Sequence, residues 1–549
     1  MGKGKKATAA GLAATMAAVV ALSACSGNDK ESKGASSSPA PSSGAASASA
    51  KPSAAANPYE KKLTLTYLNM GDLSKWKDGT PVEKIFEDKF NVDLKSVPIN
   101  SMDAEKLKVT LAGGTIPDVM ITWNAQQYYR DGIIRKISMD MVKQYMPNVM
   151  KIIEQYDDKT AWAISKDYKT GDLIQVPVGS AAGLSNSSIY TRKDWLDKIG
   201  VTKLGDTMTL DELHDILKKF TFNDPDGNGK NDTYGLIDVF GESNFYYYGF
   251  NNIYAAFGVN PAQWGKAADN KIVYGAVSDR YKQALKLLNS WWKEGIIDPS
   301  SVSTKKPERQ AKVLDNKAGA VFTNAVYMNE ISKDPMFLLW QQTPAAVPVQ
   351  LPVIVGPEGY GGGYGNGEWI GWGLMFGAKT TDEQVIRAMQ ISDAQYADEA
   401  RSLAVTAKFG IEGKTYDMVN GGAVMKQGVD AAEQGAGIFI YPLYFGALNE
   451  IVNGKAVAKA VEENLKKVPR INNVVDIKQV DYIVSENKSI QSAEMLKIMQ
   501  EFQVKAITGQ IDIDKEWDAY VDRWNKAGGK QLTEEVNKIP VIYENKKLK

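Results

Sequence analysis

Hydrophobic positions along the chain recur with two different periods. Residues 62–70 place Leu63, Leu65 and Tyr67 at every second position, the spacing of a half-buried strand. Val92-Asp93-Leu94 and Val119-Met120-Ile121 are short apolar runs that predict further strands, and residues 81–90 and 104–111 between them predict helices. Thr209 and Glu212 have the spacing of a capping box, and Leu213, Ile216, Leu217 and Phe220 then share one helical face. Ser278 caps a second such helix, which carries Tyr281, Leu285, Leu288 and Trp292 and is stopped by Gly295. Thr380 and Glu383 repeat the box. Strands separated by helices predict an α/β fold with parallel sheets covered on both faces.

The first 57 residues follow neither period. Lys3, Lys5 and Lys6 precede an apolar run over residues 7–22, too short to span a bilayer comfortably. The run ends at Leu22-Ser23-Ala24-Cys25, small residues before the sole cysteine of the chain. This is the pattern of a signal peptide over 1–24 followed by a lipobox, with Cys25 the lipidated residue. A single cysteine leaves no internal disulfide. Of the 32 residues from 26 to 57, 25 are Ser, Ala, Gly or Pro. Such a segment has no apolar surface to offset its ordering entropy. As a flexible tether it would span about 30 Å root-mean-square. The expected location is the outer face of the cytoplasmic membrane, in an organism of the Gram-positive type.

Removal of 1–24 takes away three lysines and no acid, so the net charge moves from 0 to −3. That excludes a nucleic-acid footprint. The catalytic inventory is equally thin. The one histidine, His214, sits on the surface of a capped helix, and Cys–His and Ser–His–Asp arrangements lack parts. A P-loop ending at Gly413 would need glycine at Lys408, and no register of the glycines in 359–367 gives GxGxxG. The latter stretch reads as a mobile surface loop. A two-carboxylate glycosidase stays formally open, because acids cannot be sorted by spacing alone.

Four local patterns carry a resemblance. They are Leu111-Ala112-Gly113-Gly114-Thr115-Ile116-Pro117-Asp118-Val119 with Tyr128-Tyr129 and Asp131-Gly132-Ile133-Ile134; Tyr190-Thr191-Arg192-Lys193-Asp194-Trp195-Leu196 with the 209–213 box; Gly319-Ala320-Val321-Phe322; and Gly410-Ile411-Glu412-Gly413-Lys414-Thr415-Tyr416. In this order, over about residues 62–530, the chain resembles the family 1 extracellular solute-binding proteins of ABC importers. The fourth pattern is typical of their long lipoprotein branch, which includes alginate-binding relatives. The resemblance implies a two-lobed periplasmic-binding-protein-like fold of type II, with discontinuous lobes joined by crossing strands. The first lobe would comprise 58–188 and 326–400. The second would comprise 189–325 and 401–549, the latter with C-terminal helices. Crossings would fall near 187–190, Asn324 and residue 400. It further implies a monomer that binds a carbohydrate, most simply an oligosaccharide, in the cleft and passes it to a membrane permease without chemistry. A peptide-binding importer lipoprotein is the alternative.

Carbohydrate sites use aromatic faces against sugar rings, with amides and charged groups on the hydroxyls. Trp162, Trp195, Trp291, Trp292, Trp340, Trp517 and Trp524 fall on helix-like patterns and read as packing. Trp123-Asn124 follows a strand at a turn that the resemblance places in the cleft. The other candidates are Trp76, Arg192, Tyr247, Trp264, Asn324, Tyr327, Trp369 and Trp372. A separate signal is Asp224-Pro225-Asp226-Gly227-Asn228-Gly229-Lys230-Asn231-Asp232-Thr233. Asp224, Asp226, Asn228 and Asp232 hold positions one, three, five and nine of a calcium loop. Gly229 supplies the sharp turn and Lys230 a backbone carbonyl. Position twelve is Gly235 rather than Glu, and alginate-binding relatives complete a similar loop from position ten, here Thr233. A structural Ca²⁺ is therefore expected, with a solvated turn as the alternative.

Overall fold

The computed structural model describes residues 59–538, apart from 102, 157, 181–187, 239–248, 268–270, 304–305, 324–333, 364–368, 438–440, 442, 456–457 and 460–491. Cys25, Tyr247, Asn324 and Tyr327 lie outside the described residues.

Residues 58–549 contain two large hydrophobic cores. The first surrounds a six-stranded sheet, ordered β16-β4-β13-β3-β1-β2. Its strands are β1 (Leu63–Leu68), β2 (Val92–Ser96), β3 (Val119–Thr122), β4 (Val176–Ser180), β13 (Trp369–Phe376) and β16 (Leu443–Tyr444). β1 buries Leu63, Leu65 and Tyr67, as its alternation requires, and runs parallel to β2 and β3. Asp118 ties β1 to β3: its carboxylate accepts from Thr66 N and Thr66 Oγ1 at 2.8 and 2.7 Å. The Pro117-Asp118 pattern is thus a strand clamp.

The second core surrounds a four-stranded sheet, ordered β11-β5-β10-β7. It comprises β5 (Ser188–Arg192), β7 (Tyr234–Leu236), β10 (Ala318–Thr323) and β11 (Pro348–Gln350). Three two-stranded pairs complete the set. β6 (Thr207–Thr209) joins β12 (Val353–Val355), β8 (Trp264–Lys266) joins β9 (Ile272–Tyr274), and β14 (Tyr416–Val419) joins β15 (Gly422–Met425). Both large sheets are mixed rather than parallel, because β13 runs antiparallel to β3 and β4, and β5 antiparallel to β10 and β11. A strand that enters its sheet through a connector starts at the end where the neighbouring strands finish, so it runs against them.

The helices at the predicted positions form for the predicted local reasons. Thr209 and Glu212 close a capping box over Leu210–Phe222, and Leu213, Ile216, Leu217 and Phe220 are buried. Ser278 caps Asp279–Lys293, where Trp291 is buried and Trp292 only half-buried, a one-residue shift in phase. The second predicted box sits one residue later than predicted. Thr381 and Gln384 cap Asp382–Ala394, because Thr380 Oγ1 donates to Asp118 O (3.1 Å) and Glu383 pairs with Lys61 on the surface. Of the tryptophans read as packing, Trp195, Trp517 and Trp524 are also buried, but Trp340 is 41% exposed.

The lobe boundaries differ from the expected ones. β10, β11 and β12 all pair within the second lobe, so the chain does not return near Asn324. It returns between Val355 and Trp369. Residues 402–453 likewise stay with the first core, through Ala404, Val405, Phe409, Tyr416 and Leu448, rather than crossing near 400. The last passage lies between the helices Ala447–Asn453 and Ala493–Ile507, the latter packing in the second core. Residues 359–363, the described part of the glycine-rich stretch, therefore lie in a connector. They pack closely: Asn252 Nδ2 donates to Gly362 O at 2.9 Å, Tyr360 is buried, and Gly362 has φ +132°. Among the described residues no helix is long and apolar enough to cross a membrane.

Candidate functional site

The connectors define one end of each sheet. In the first lobe this end holds the last residue of β4, the start of β13 and the carboxyl ends of β1 and β3. Asn69 directly follows β1 and is buried; its Nδ2 donates to Gly437 O at 2.5 Å. Trp76, further along the same loop, is half-buried near Gly437. Trp123 and Asn124 directly follow β3, beyond the buried Thr122, and both are half-buried. Asn124 takes the left-handed conformation (φ +70°), which turns the chain at once into the helix Ala125–Arg130. Asparagine tolerates that region better than most residues. The backbones of Trp369 and Trp372 lie at this same end: Trp369 pairs with Gly179, and Trp372 sits in the bulge between Ile370 and Gly373.

In the second lobe the connector end holds Ser188, at the start of β5, opposite Thr323, at the end of β10. Two carboxylates that the sequence reading missed stand here. Asp334 accepts from Thr323 Oγ1 at 2.6 Å and caps the helix Pro335–Gln342; burial raises its carboxyl above the usual range. Asp238 is fully buried beyond β7 and accepts from Phe250 N at 2.8 Å. Asp334 before Pro335 was a legible cap signal. Asp238, in an apolar run, offered none.

Two candidates are not at this end. Arg192 is the last residue of β5, roughly 13 Å from Ser188 at about 3.3 Å per residue. Its side chain is 3% exposed, forms a bidentate pair with Asp194, donates to Asn316 Oδ1 at 2.6 Å and stacks over Trp195 at 4.6 Å. Trp264 is 1% exposed and packs edge-on against Tyr274 and Trp524 in the second core. Neither has a face left for a ligand. His214 is a helix-surface residue, 2.9 Å from Glu294 Oε2 and tilted against Trp291.

The acidic loop lies at the opposite end of the second sheet, before the start of β7 and beside the start of β10. Asp224 (φ +45°), Gly227 (+74°) and Gly229 (+76°) wind it tightly. Asp224 accepts from Gly229 N (2.9 Å) and Asn228 N (3.0 Å), and the Gly229 bond above all holds its carboxyl below the usual range. Asp226 is raised, first by desolvation and then by the Asp224 carboxylate beside it. Lys230 N donates to Asn228 Oδ1 at 2.8 Å. Hard oxygen donors and crowded acids suit a divalent cation. Two features depart from expectation. Thr233 is buried and its hydroxyl donates to Phe220 O at 2.8 Å, so its side chain anchors the loop to the helix. Asp232 is engaged by Lys317 Nζ, and among the described residues no three acids, histidines or cysteines converge as a ready metal cage.

This is the fold of the two-lobed solute-binding proteins, and the relatives of the chain include a substrate-binding protein of an ABC transporter. No family model matches the chain. It is 28% identical over 320 residues to the fructooligosaccharide ABC transporter substrate-binding protein FusA of Streptococcus pneumoniae, a match covering 55% of each chain and so about half of that relative's length. It is 24% identical over 460 residues to the polygalacturonan/rhamnogalacturonan-binding protein YtcQ of Bacillus subtilis (81% of this chain, 84% of that one). The lipoprotein LipO of the same organism is 22% identical over 486 residues (84% and 89%). Among solved structures, a human-milk-oligosaccharide (HMO)-binding solute-binding protein from Bifidobacterium longum infantis aligns with TM-score 0.65 and 18% identity, covering 87% of this chain and 98% of that one. An EF-hand mutant of S. pneumoniae FusA with fructo-nystose aligns with TM-score 0.59 and 21% identity (86% and 98%).

Proposed function

We propose that the protein is the solute-capturing component of an ABC importer and binds an oligosaccharide between its lobes without chemical change. The carrying observation is the gathering of Asn69, Trp123, Asn124 and the Trp369 and Trp372 backbones at the connector end of one sheet, with Asp238 and Asp334 at the connector end of the other. Ligands of open sheets bind beyond the carboxyl ends of strands. The ligands by which FusA, YtcQ and the Bifidobacterium protein are named are all carbohydrates, which supports a glycan as solute. Cys25 carries the lipid in this reading, and the serine- and alanine-rich stretch tethers the body to the outer face of the membrane. Hinge closure of the lobes on the solute is what the permease reads, since a ligand shifts such an equilibrium only by its differential affinity for the two states. Calorimetry against mono-, di- and oligosaccharides and peptides, paired with small-angle scattering, tests this. The expected result is binding to a glycan with a smaller radius of gyration at saturation. Binding to peptides alone refutes the sugar, and an unchanged radius refutes closure.

The acidic loop is proposed to hold a structural Ca²⁺ through Asp224, Asp226, Asn228, Asp232 and the Lys230 carbonyl. A hundredfold excess over the dissociation constant would then stabilise the native protein by about 2.7 kcal/mol. The double substitution Asp224→Ala/Asp226→Ala should abolish the calcium-induced rise in melting temperature and leave glycan affinity within about twofold, because β10 alone separates the loop from the connector end by roughly 20 Å. A large loss of glycan affinity in that variant would show that the loop supports the cleft.

A further inference from the structure

We propose that Arg309 is the anion-recognising group of the second lobe, and that the solute is an acidic oligosaccharide whose carboxylate, of the uronic-acid kind, pairs with it. The proposal rests on the glycan reading above and adds the charge of the solute to it. Arg309 lies on the helix Lys306–Leu314, which leads through the turn at residues 315–317 into the start of β10. That start is the end remote from the connectors, so the helix runs back along the sheet from the connector end. Val313, one turn after Arg309, packs with Val321 and Tyr190. Arg309 enters the same face of the sheet one turn nearer the connector end. Its Nη1 donates to Phe322 O at 3.4 Å, one residue before the last of β10. The residue is only 7% exposed.

A guanidinium carries several N–H donors and keeps its charge at any physiological pH. Buried to this degree it is costly unless a carboxylate pairs with it. Among the described residues Arg309 makes no ion pair, its bond to Phe322 is long, and its Nε is enclosed with no partner. Asp334, the acid at the same end of this face, is committed elsewhere: it accepts from Thr323 Oγ1 at 2.6 Å and from Met336 N at 2.9 Å. The positive charge is left for a group that arrives with the solute. A carboxylate matches the planar fork in sign and in geometry. Groups suited to sugar hydroxyls share the place. Ser188 and Thr323 alternate onto this face with Tyr190 and Val321, and Gln350 Nε2 donates to Ser188 Oγ at 3.2 Å. The Asp334 carboxyl beside them opposes a doubly charged phosphate ester, so one carboxylate on a hydroxylated ring is the better match.

The test is calorimetry at low ionic strength on the full-length protein, for the wild type, Arg309→Met and Arg309→Lys. The probes are oligogalacturonate and oligomannuronate, their methyl esters, neutral fructo- and malto-oligosaccharides, and peptides. The wild type should bind a uronate at least about tenfold more tightly than its methyl ester, the worth of one charge-assisted hydrogen bond. R309M should lose that discrimination and R309K should keep part of it. Melting temperatures without solute give a readout that a merely structural arginine would reverse. R309M should melt at or above the wild type, because an apolar chain of similar length removes an uncompensated buried charge. A melting temperature well below the wild type overturns the proposal, and so does a preference for the uronate that survives in R309M. A wild type that binds neutral glycans but no uronate also overturns it, and leaves the glycan reading standing. Binding to peptides alone, or to no glycan, overturns the glycan reading and this proposal together.

Discussion

Replacing Trp123 by alanine is expected to weaken binding of the cognate glycan by about a hundredfold, the effect typical of a central aromatic anchor. Trp123 is the first residue beyond β3, half-buried at the connector end, with its backbone fixed on one side by the ladder and on the other by the left-handed turn at Asn124. An indole held this way presents a flat apolar face that needs little ordering on binding. Trp123→Phe should recover part of the loss, because a smaller ring still stacks. Two comparison variants separate this from general damage. Trp264→Phe, in the aromatic stack with Tyr274 and Trp524, should lower stability but spare affinity, and Trp340→Ala, on the exposed face of the helix Pro335–Gln342, should change neither. Calorimetry on the four proteins reads the pattern. If W123A titrates like the wild type, the sugar platform lies elsewhere.

Gly356→Ala is expected to destabilise the protein by about 3 kcal/mol, at the upper end of overpacking effects. Gly356 begins the connector that returns from the second lobe, and a Cβ there would lie 1.9 Å from the Ala256 carbonyl oxygen, at the end of the helix Asn251–Ala256. The obstacle is backbone, so no rotamer change relieves it. Gly359, three residues on, makes the contrast. It has φ +81° and nothing within 4 Å, so Gly359→Ala should cost only about 1 kcal/mol of left-handed strain. Equilibrium urea unfolding of both variants reads the difference. Equal losses would mean that the close approach of connector and helix is absent in solution.

Much of this architecture was legible because it is local. A strand with Leu63, Leu65 and Tyr67 on one face, or a helix opened by Thr209 and Glu212, is decided within ten residues by burial and by orphan backbone donors. The winding of residues 224–233 is local in the same sense, since glycines and short acids dictate the turn. The four patterns in order carried the resemblance to a two-lobed binding protein.

Tertiary structure decided everything that depends on which sheet, and which end of it, a segment joins. β10 to β12 read as apolar strands whichever core receives them, and only their ladders with β5 and β6 assign them to the second lobe. Arg192 was placed beside a crossing because β5 follows one. The crossing is at its first residue, however, and the strand itself carries Arg192 to the remote end, into the grip of Asp194 and Asn316. Trp264 was read as an aromatic in a loop of the second lobe, and no pattern announced that Tyr274 and Trp524 would enclose it. The meeting of Asp232 with Lys317, 85 residues later in the chain, is of the same kind. Residue spacing specifies turns and faces. Strand order specifies which turns share an end, and a binding site is made of turns that share an end.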